Sequence, residues 1–166
     1  MKNKISRTAG LMLVLAFSIM QLFQPEKNKT QVTQSDIVFQ MEFPPLVKKT
    51  IVKACYDCHS TQTRYPWYAS ISPFSWMIDS HIKKAQAKLN FSEWGGYSTE
   101  DQIDLLQEIN DEVHGGDMPL NAYVIFHREA ELFDHEVEEL CSWAQATATI
   151  DSPVGMASSP QNGTQY

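Results

Sequence analysis

Two cysteines and a histidine stand within five positions of one another, in the segment Cys55-Tyr56-Asp57-Cys58-His59. Two thiols three residues apart, followed at once by a histidine, are the attachment signature of a c-type haem. At roughly 100° per residue, a helix would bring all three side chains onto neighbouring parts of its surface. The segment therefore predicts one covalently attached haem c, with Cys55 and Cys58 offered to the vinyl groups and His59 to the iron.

The length and charge of the chain limit its domain count and its partners. With 166 residues, 43% of them hydrophobic, the chain suits one compact domain with tails. Residues 1–30 hold five of the thirteen basic side chains and one of the twenty acidic ones, so residues 31–166 carry a net charge of −11. Such a surface repels phosphate backbones. Nucleic acid is not expected as a partner, and a basic redox partner protein or a small ligand is favoured.

Residues 1–24 have the form of a targeting segment. Three basic side chains precede an apolar run over residues 9–23, and a run of about 15 residues is shorter than the roughly 20 that span a bilayer comfortably. The segment predicts a cleaved signal peptide or an uncleaved membrane anchor, and either one exports the rest of the chain. Residues 25–43 are polar and are interpreted as a linker, and residues 147–166 are predicted to be a disordered tail.

Residues 44–146 are predicted to form the folded domain, because apolar residues recur there at helical spacing. No parallel-strand pattern is present, so the predicted fold class is all-α. Segment 121–133 fits either a loop or a short helix. Four longer helices are expected, from about Leu46 into the cysteine motif, from Pro73 to about Asn90, from Ser98 or Thr99 to about Val113, and from an N-cap at Asp134 to about Ala146.

A haem that passes electrons needs a second axial ligand, and a methionine thioether raises its potential. Met118 is the candidate, because it follows a helix ended by Gly115 and Gly116, and Pro119 stiffens its backbone. His81, at the edge of the apolar face of the second predicted helix, is the alternative. Four other side chains are weaker candidates: Met77, His114, His127 and His135.

Several side chains near the motif are expected to surround a bound haem. Arg64 is the arginine nearest the motif and a candidate partner for a propionate. The aromatic residues expected to wall the macrocycle, although simple core packing would suit each of them equally well, are Tyr65, Trp67, Tyr68, Trp76, Trp94 and Tyr123.

The three cysteines also permit two other interpretations. Cys55 and Cys58 would suit a redox disulfide, but a thioredoxin-like site follows a strand, and no strand pattern is present. Cys141, with both motif thiols and one histidine, would complete a tetrahedral zinc site, although the usual spacing of two ligand pairs is missing. Without a metal, Cys141 is expected to be a small buried residue on the last helix.

The chain contains an ordered set of short segments: Cys-Tyr-Asp-Cys-His-Ser at 55–60, Tyr-Pro-Trp-Tyr at 65–68, Pro-Phe-Ser-Trp at 73–76, His81, Leu-Asn-Phe-Ser-Glu-Trp at 89–94, Met-Pro-Leu at 118–120, His127 and Trp143. In this order they resemble the haem-binding domain family of exported bacterial mono-haem c-type cytochromes. The resemblance covers about residues 44–146 and implies a small all-α, cytochrome c-like domain wrapped around one covalent haem in the periplasm. It also implies Cys55 and Cys58 as thioether attachments, His59 as proximal ligand and Met118 as distal ligand.

Two functions follow from these expectations. The first is a single-haem electron carrier whose iron has two protein ligands. The second is a sensor or peroxide-reactive protein in which the distal position opens to a small ligand. No paired carboxylates, nucleophile triad or phosphate loop is present, so the electron carrier is favoured over an enzyme.

Overall fold

The computed structural model describes residues 2–28 and 31–151, and within these ranges the chain forms helices and irregular segments without a β-strand. The predicted all-α class is confirmed. Segment 121–133 contains both a short helix and a 3₁₀ helix. The helices are α1 (Lys2–Met20), α2 (Ile37–Gln40), α3 (Pro45–Ala54), α4 (Tyr56–His59), α5 (Phe74–Lys88), α6 (Thr99–His114), α7 (Asn121–Phe126) and α8 (Asp134–Asp151), with 3₁₀ helices over Trp67–Ser70, Phe91–Gly96 and Arg128–Ala130.

The core lies between α3, α6 and α8. Helix α6 makes its most extensive contacts with α8, and α3 packs against both α8 and α4. Ile51, Leu106 and Leu140 place fully buried side chains in this core. Burying one such side chain stabilises a fold by about 1.5–3 kcal/mol. The cysteine motif rests on the same core, because the Tyr56 ring stacks on Phe91 with centroids 5.5 Å apart.

The helix predicted to run unbroken into the cysteine motif is in fact two helices. Helix α3 ends at Ala54 and α4 begins at Tyr56, because Cys55 departs from helical geometry with a φ of −115°. The Cys55 N–H still donates to the Ile51 carbonyl at 3.0 Å, and its carbonyl accepts from the His59 N–H at 2.9 Å. The motif therefore forms a separate turn of helix.

The predicted linker over residues 25–43 is partly wrong, because its second half belongs to the domain. Asp36 and Ile37 are fully buried at the start of α2. The Phe43 ring stacks on Trp143 of α8, with centroids 4.7 Å apart. This segment thus packs on the core although its polar composition suggests a linker.

The buried carboxylate of Asp36 explains why so polar a segment can be packed inside. It accepts hydrogen bonds from the Tyr56 hydroxyl at 2.5 Å, the Gln62 amide at 3.0 Å and the Ser92 hydroxyl at 3.2 Å. A buried carboxylate is costly unless its oxygens are satisfied in this way. Asp36 consequently joins the start of α2 to the motif helix α4.

Residues 21–28 are also attached to the domain, along the loop between α4 and α5. The Gln21 amide donates to the Ser72 carbonyl at 3.2 Å and accepts from the Ser72 N–H at 2.9 Å. A backbone N–H of this segment donates to the Tyr65 hydroxyl at 2.9 Å, and the Trp76 indole donates to one of its carbonyls at 2.6 Å. The predicted linker is therefore attached to the domain near its start, through Asn28, and at its end, through Phe43.

Helix α1 contains most of the apolar run predicted to target the chain. Its large apolar side chains from Leu11 to Ile19 are exposed. Within residues 2–28 and 31–151, no helix is long and apolar enough to cross a membrane.

Helix α8 differs from its prediction at both ends. Asp134, predicted to be the N-cap, is the first helical residue. The helix continues to Asp151, past the predicted end, because Ala148 lies one turn beyond Ala144 and is buried in the same core. The predicted disordered tail is wrong for residues 147–151, and its remainder, 152–166, lies outside the described residues.

Candidate cofactor site

His59 lies at the end of α4 with its ring partly buried. Its Nδ1 atom is 3.1 Å from the Leu89 carbonyl oxygen. A carbonyl only accepts hydrogen bonds, so Nδ1 carries the proton and Nε2 carries the lone pair. Burial lowers the pKa of His59, against the raising effect of the Leu89 and Ala85 carbonyls. A neutral imidazole with one nitrogen fixed by a backbone carbonyl is the form in which histidine binds metals.

The two motif thiols are held in their neutral form. Burial, with a smaller contribution from Cys58, raises the pKa of Cys55 to about 12. Burial and the nearby Asp57 carboxylate raise the pKa of Cys58 to about 11. A redox-active dithiol needs a lowered thiol pKa. The thiol environment and the absence of a strand in the described part of the chain both argue against a thioredoxin-like site.

Asp57, between the two cysteines, is a buried acceptor that the sequence reasoning missed. Its carboxylate accepts from the Arg64 Nε at 3.0 Å, the Arg64 Nη2 at 3.1 Å and the Arg64 backbone N–H at 3.0 Å. It also accepts from the Tyr123 hydroxyl at 2.6 Å. Arg64, the candidate partner for a propionate, is paired with Asp57 within the protein. The available signal was an acid inside the motif followed seven residues later by an arginine.

Removing the Asp57 carboxylate should destabilise the fold. In Asp57→Ala, the Tyr123 hydroxyl and the Arg64 backbone N–H lose their acceptor, whereas the guanidinium, on a side chain 59% exposed, can turn to water. We expect a loss of about 1–3 kcal/mol in the free energy of unfolding, measured by urea denaturation. Asp79→Ala is the control, because it breaks an exposed pair with Lys83 and should cost less than about 0.5 kcal/mol. Equal losses would contradict the role assigned to Asp57.

A cavity of about 110 Å³ brings three predicted site residues together. Cys55, His59 and Met118 all line it, and so does Pro119. Met118 is half-buried against the core. A thiol, an imidazole and a thioether therefore line the same cavity.

The backbone after α6 holds Met118 in position. Gly116 has a φ of +77°, and its N–H donates to the Val113 carbonyl at 3.2 Å. The N–H groups of Asp117 and Met118 both donate to the Glu112 carbonyl, at 3.0 and 3.1 Å. The bonds from Gly116 and Asp117 form a Schellman motif, which ends a helix by a left-handed residue. The methionine is thus fixed to the last turn of α6.

Substituting Gly116, which has a left-handed backbone conformation, should weaken the turn that holds the Met118 backbone. A Cβ at position 116 would meet no atom within 4 Å, so Gly116→Ala adds only the backbone cost of a positive φ, about 1–2 kcal/mol. We expect this loss in the free energy of unfolding and a weaker spectral signature of a bound methionine. Gly96→Ala is the matched control, since that site is equally open and its φ is not positive. Equal losses of unfolding free energy and equal spectra in the two variants would contradict the role assigned to Gly116.

A second, larger cavity of about 400 Å³ lies on the Cys58 side of the motif. Met77 and His81, the rival axial ligands from α5, line this cavity and not the smaller one. His81 is exposed. Met118 therefore lines the same cavity as His59, whereas His81 lines the same cavity as Cys58.

The six aromatic residues expected around a macrocycle fall into three groups. Trp67, Tyr68 and Tyr123 line the larger cavity. Trp94 is fully buried in the core, while the hydrogen bonds of Tyr65 and Trp76 to residues 21–28 hold the N-terminal segment. Three of the six are thus placed beside the motif.

The zinc interpretation is wrong. Within the described residues, no group of three or more His, Cys, Asp or Glu side chains is arranged to hold a metal ion. Cys141 is buried on α8, where its Sγ donates to the Asn110 carbonyl at 3.7 Å. Cys141 is the small buried residue that its position on the apolar face of the last helix predicts.

The remaining histidines are distributed around the domain rather than at the smaller cavity. His114 and His135 are exposed. His127 lines the larger cavity, stacked on the Tyr123 ring with centroids 4.3 Å apart. None of the three shares a cavity with His59.

Fold and site together define a class of protein. An all-α domain arranges a neutral imidazole, two neutral thiols and a thioether around two cavities that share the cysteine motif. Imidazole nitrogen and methionine sulfur are ligands that haem iron takes in proteins, so the residues present fit a haem. A model of the haem-binding domain family matches residues 15–146. The chain belongs to this family and is a haem-binding protein. Searches of curated proteins and of solved structures gave no match.

Proposed function

We propose that the protein is a mono-haem electron carrier of the c type. Cys55 and Cys58 would hold the haem covalently through thioether bonds, and His59 and Met118 would be the two protein ligands of its iron. The observation that carries the proposal is the shared cavity of Cys55, His59 and Met118.

Both axial candidates are held by backbone contacts, which supports electron transfer over ligand exchange. The Leu89 carbonyl orients the His59 ring, and the Glu112 carbonyl holds the Met118 backbone. Bound haem supplies a one-electron couple, whose potential methionine ligation raises. The chain's own contribution is to position the two candidate ligands at one cavity.

The charge of the domain supports a basic redox partner. Residues 31–166 carry a net charge of −11, and complementary charge speeds the encounter of two proteins. Basic residues before an apolar run at the N-terminus support export, and with it a periplasmic site of action.

Two measurements on the purified full chain test this proposal. Haem should remain with the polypeptide after extraction with acidified organic solvent, because a thioether bond survives that treatment. The ferric protein should show the long-wavelength charge-transfer band of sulfur-ligated haem. Haem that leaves in the solvent contradicts covalent attachment, and a ferric spectrum without the band contradicts methionine ligation.

A further inference from the structure

The segment that follows α1 is bound to the domain by its side chains. The Gln21 amide donates to the Ser72 carbonyl at 3.2 Å and accepts from the Ser72 N–H at 2.9 Å. Gln24 donates to the Ser72 hydroxyl at 2.9 Å, and the Trp76 indole donates to the Phe23 carbonyl at 2.6 Å. The end of the loop between α4 and α5, together with the first turn of α5, therefore lies beside the end of α1.

Large apolar side chains are exposed where α1 meets the domain. The exposed fraction is 80% for Leu22, 67% for Phe23 and 39% for Trp76. None of these three lines either cavity, so they are not walls of the proposed haem site. The apolar side chains of α1 from Leu11 to Ile19 are exposed as well. A continuous exposed apolar surface of this kind marks an interaction site.

The charge of the chain indicates what covers this surface. The two longest stretches without an acidic residue are 1–25 and 58–78, and the hydrogen bonds of Gln21 and Gln24 to Ser72 bring them together. They hold four basic residues, in a chain whose net charge is −7. An anionic surface attracts this part of the molecule and repels the acidic remainder. Exposed apolar side chains combined with positive charge fit an anionic lipid bilayer.

Trp76 has the environment that tryptophan adopts at a membrane surface. Tryptophan is enriched at membrane–water interfaces, because its ring is apolar while its N–H needs a hydrogen-bond acceptor. The Trp76 N–H is bonded to the Phe23 carbonyl, and part of the ring remains exposed. The ring can thus contact lipid without leaving a polar group unpaired.

We propose that the domain rests on an anionic lipid bilayer through a membrane face formed by Leu22, Phe23, Pro73 and Trp76. Residues 21–24 fix this face beside α1, whose apolar run enters the same bilayer. Phe74 lines the larger cavity from the same turn of α5, so this orientation places that cavity close to the lipid. The proposal goes beyond the proposed electron carrier and requires no haem.

Photolabelling with a lipid-soluble carbene precursor tests the proposal. The full chain is reconstituted into vesicles of phosphatidylglycerol and phosphatidylethanolamine, and mass spectrometry locates the labelled residues. We expect label on Trp76 and none on Phe133, the matched control, which is 61% exposed and lies outside the membrane face. If α1 alone enters the bilayer, Trp76 carries no label. That result, or equal labelling of Trp76 and Phe133, would overturn the proposal.

The double variant Gln21→Ala with Gln24→Ala tests the fixed connection. It removes three hydrogen bonds to Ser72, so the label on Trp76 should fall while the label on α1 is retained. Gln145→Ala is the matched control, because its amide donates to Asn110, between α8 and α6, and it should leave the label on Trp76 unchanged. Undiminished labelling of Trp76 in the double variant would overturn the proposed connection.

Vesicles of phosphatidylcholine test the choice of an anionic lipid. A surface without net charge does not repel the acidic remainder of the domain, so the contrast in labelling between Trp76 and Phe133 should be smaller there. The same contrast in both kinds of vesicle would overturn the anionic assignment. If a second copy of the chain covers the membrane face instead, sedimentation in detergent shows a dimer and Trp76 carries no label from lipid, which overturns the proposal.

Haem content, measured on the same preparation, separates this proposal from the proposed function. Label on Trp76 in a chain without haem supports the membrane face and contradicts the electron carrier. Covalent haem in a chain whose Trp76 carries no label overturns the membrane face and leaves the electron carrier standing.

Discussion

Replacing both motif cysteines, Cys55→Ser with Cys58→Ser, is expected to abolish covalent haem attachment. The two thiols are the proposed bonds between protein and porphyrin, and a serine hydroxyl forms no thioether. We expect haem stain on a denaturing gel to fall from one haem per chain to none. Each single variant should retain part of the stain, because one thioether remains. Histidine ligation alone does not survive denaturation.

Cys141→Ser is the matched control for this experiment. Cys141 is a free thiol like the other two, but it is buried on α8 beside the Asn110 carbonyl and lines neither cavity. Its substitution should leave the stain unchanged. Equal loss of stain in Cys141→Ser and in the motif variants would contradict the assignment of attachment to Cys55 and Cys58.

The substitution Met118→Ala is expected to change the electronic state of a bound haem. Methionine sulfur raises the potential of a haem iron, so its removal should lower the midpoint potential. We expect a drop on the order of 0.1 V or more, within the roughly 0.8 V that axial ligation spans. The long-wavelength band of the ferric protein should disappear as well. Potentiometric titration followed by visible absorption measures both effects.

Met77→Ala and His81→Ala separate the rival ligands. Met77 and His81 line the larger cavity, away from His59, and Met77 is 52% exposed. Neither variant should remove the band. If His81→Ala shifts the potential as far as Met118→Ala, or if Met118→Ala leaves the band in place, methionine ligation by residue 118 is wrong.

Local sequence signals predicted the helices well, because they depend on neighbouring residues. Helix α5 begins at Phe74 and α6 at Thr99, each within one residue of its predicted start. Ser98 caps α6 through a capping box with Asp101, and two glycines end it as expected. Caps and periodicity act within one or two turns of helix, so the sequence contains them directly.

The predicted linker and the predicted tail were both partly wrong, because each was inferred from polar composition alone. The segment around Asp36 is polar and resembles a linker, yet its carboxylate is fully buried and joins Tyr56, Gln62 and Ser92. The residues from Thr147 to Asp151 resemble a tail, yet they complete α8. A polar residue is buried when its hydrogen-bond partners arrive from distant positions, and no local pattern contains that information.

The sequence by itself determined the chemistry of the motif: two thiols and a histidine at the spacing that haem attachment requires. Only the tertiary structure decided which side chains face that motif. Folding brings Met118 into the cavity of Cys55 and His59, assigns His81 to the other cavity, and pairs Arg64 with Asp57. The reason is physical. The spacing of neighbouring residues defines a local set of ligands, whereas the packing of α5 against α4 and the turn that follows α6 determine which distant side chains lie beside that set.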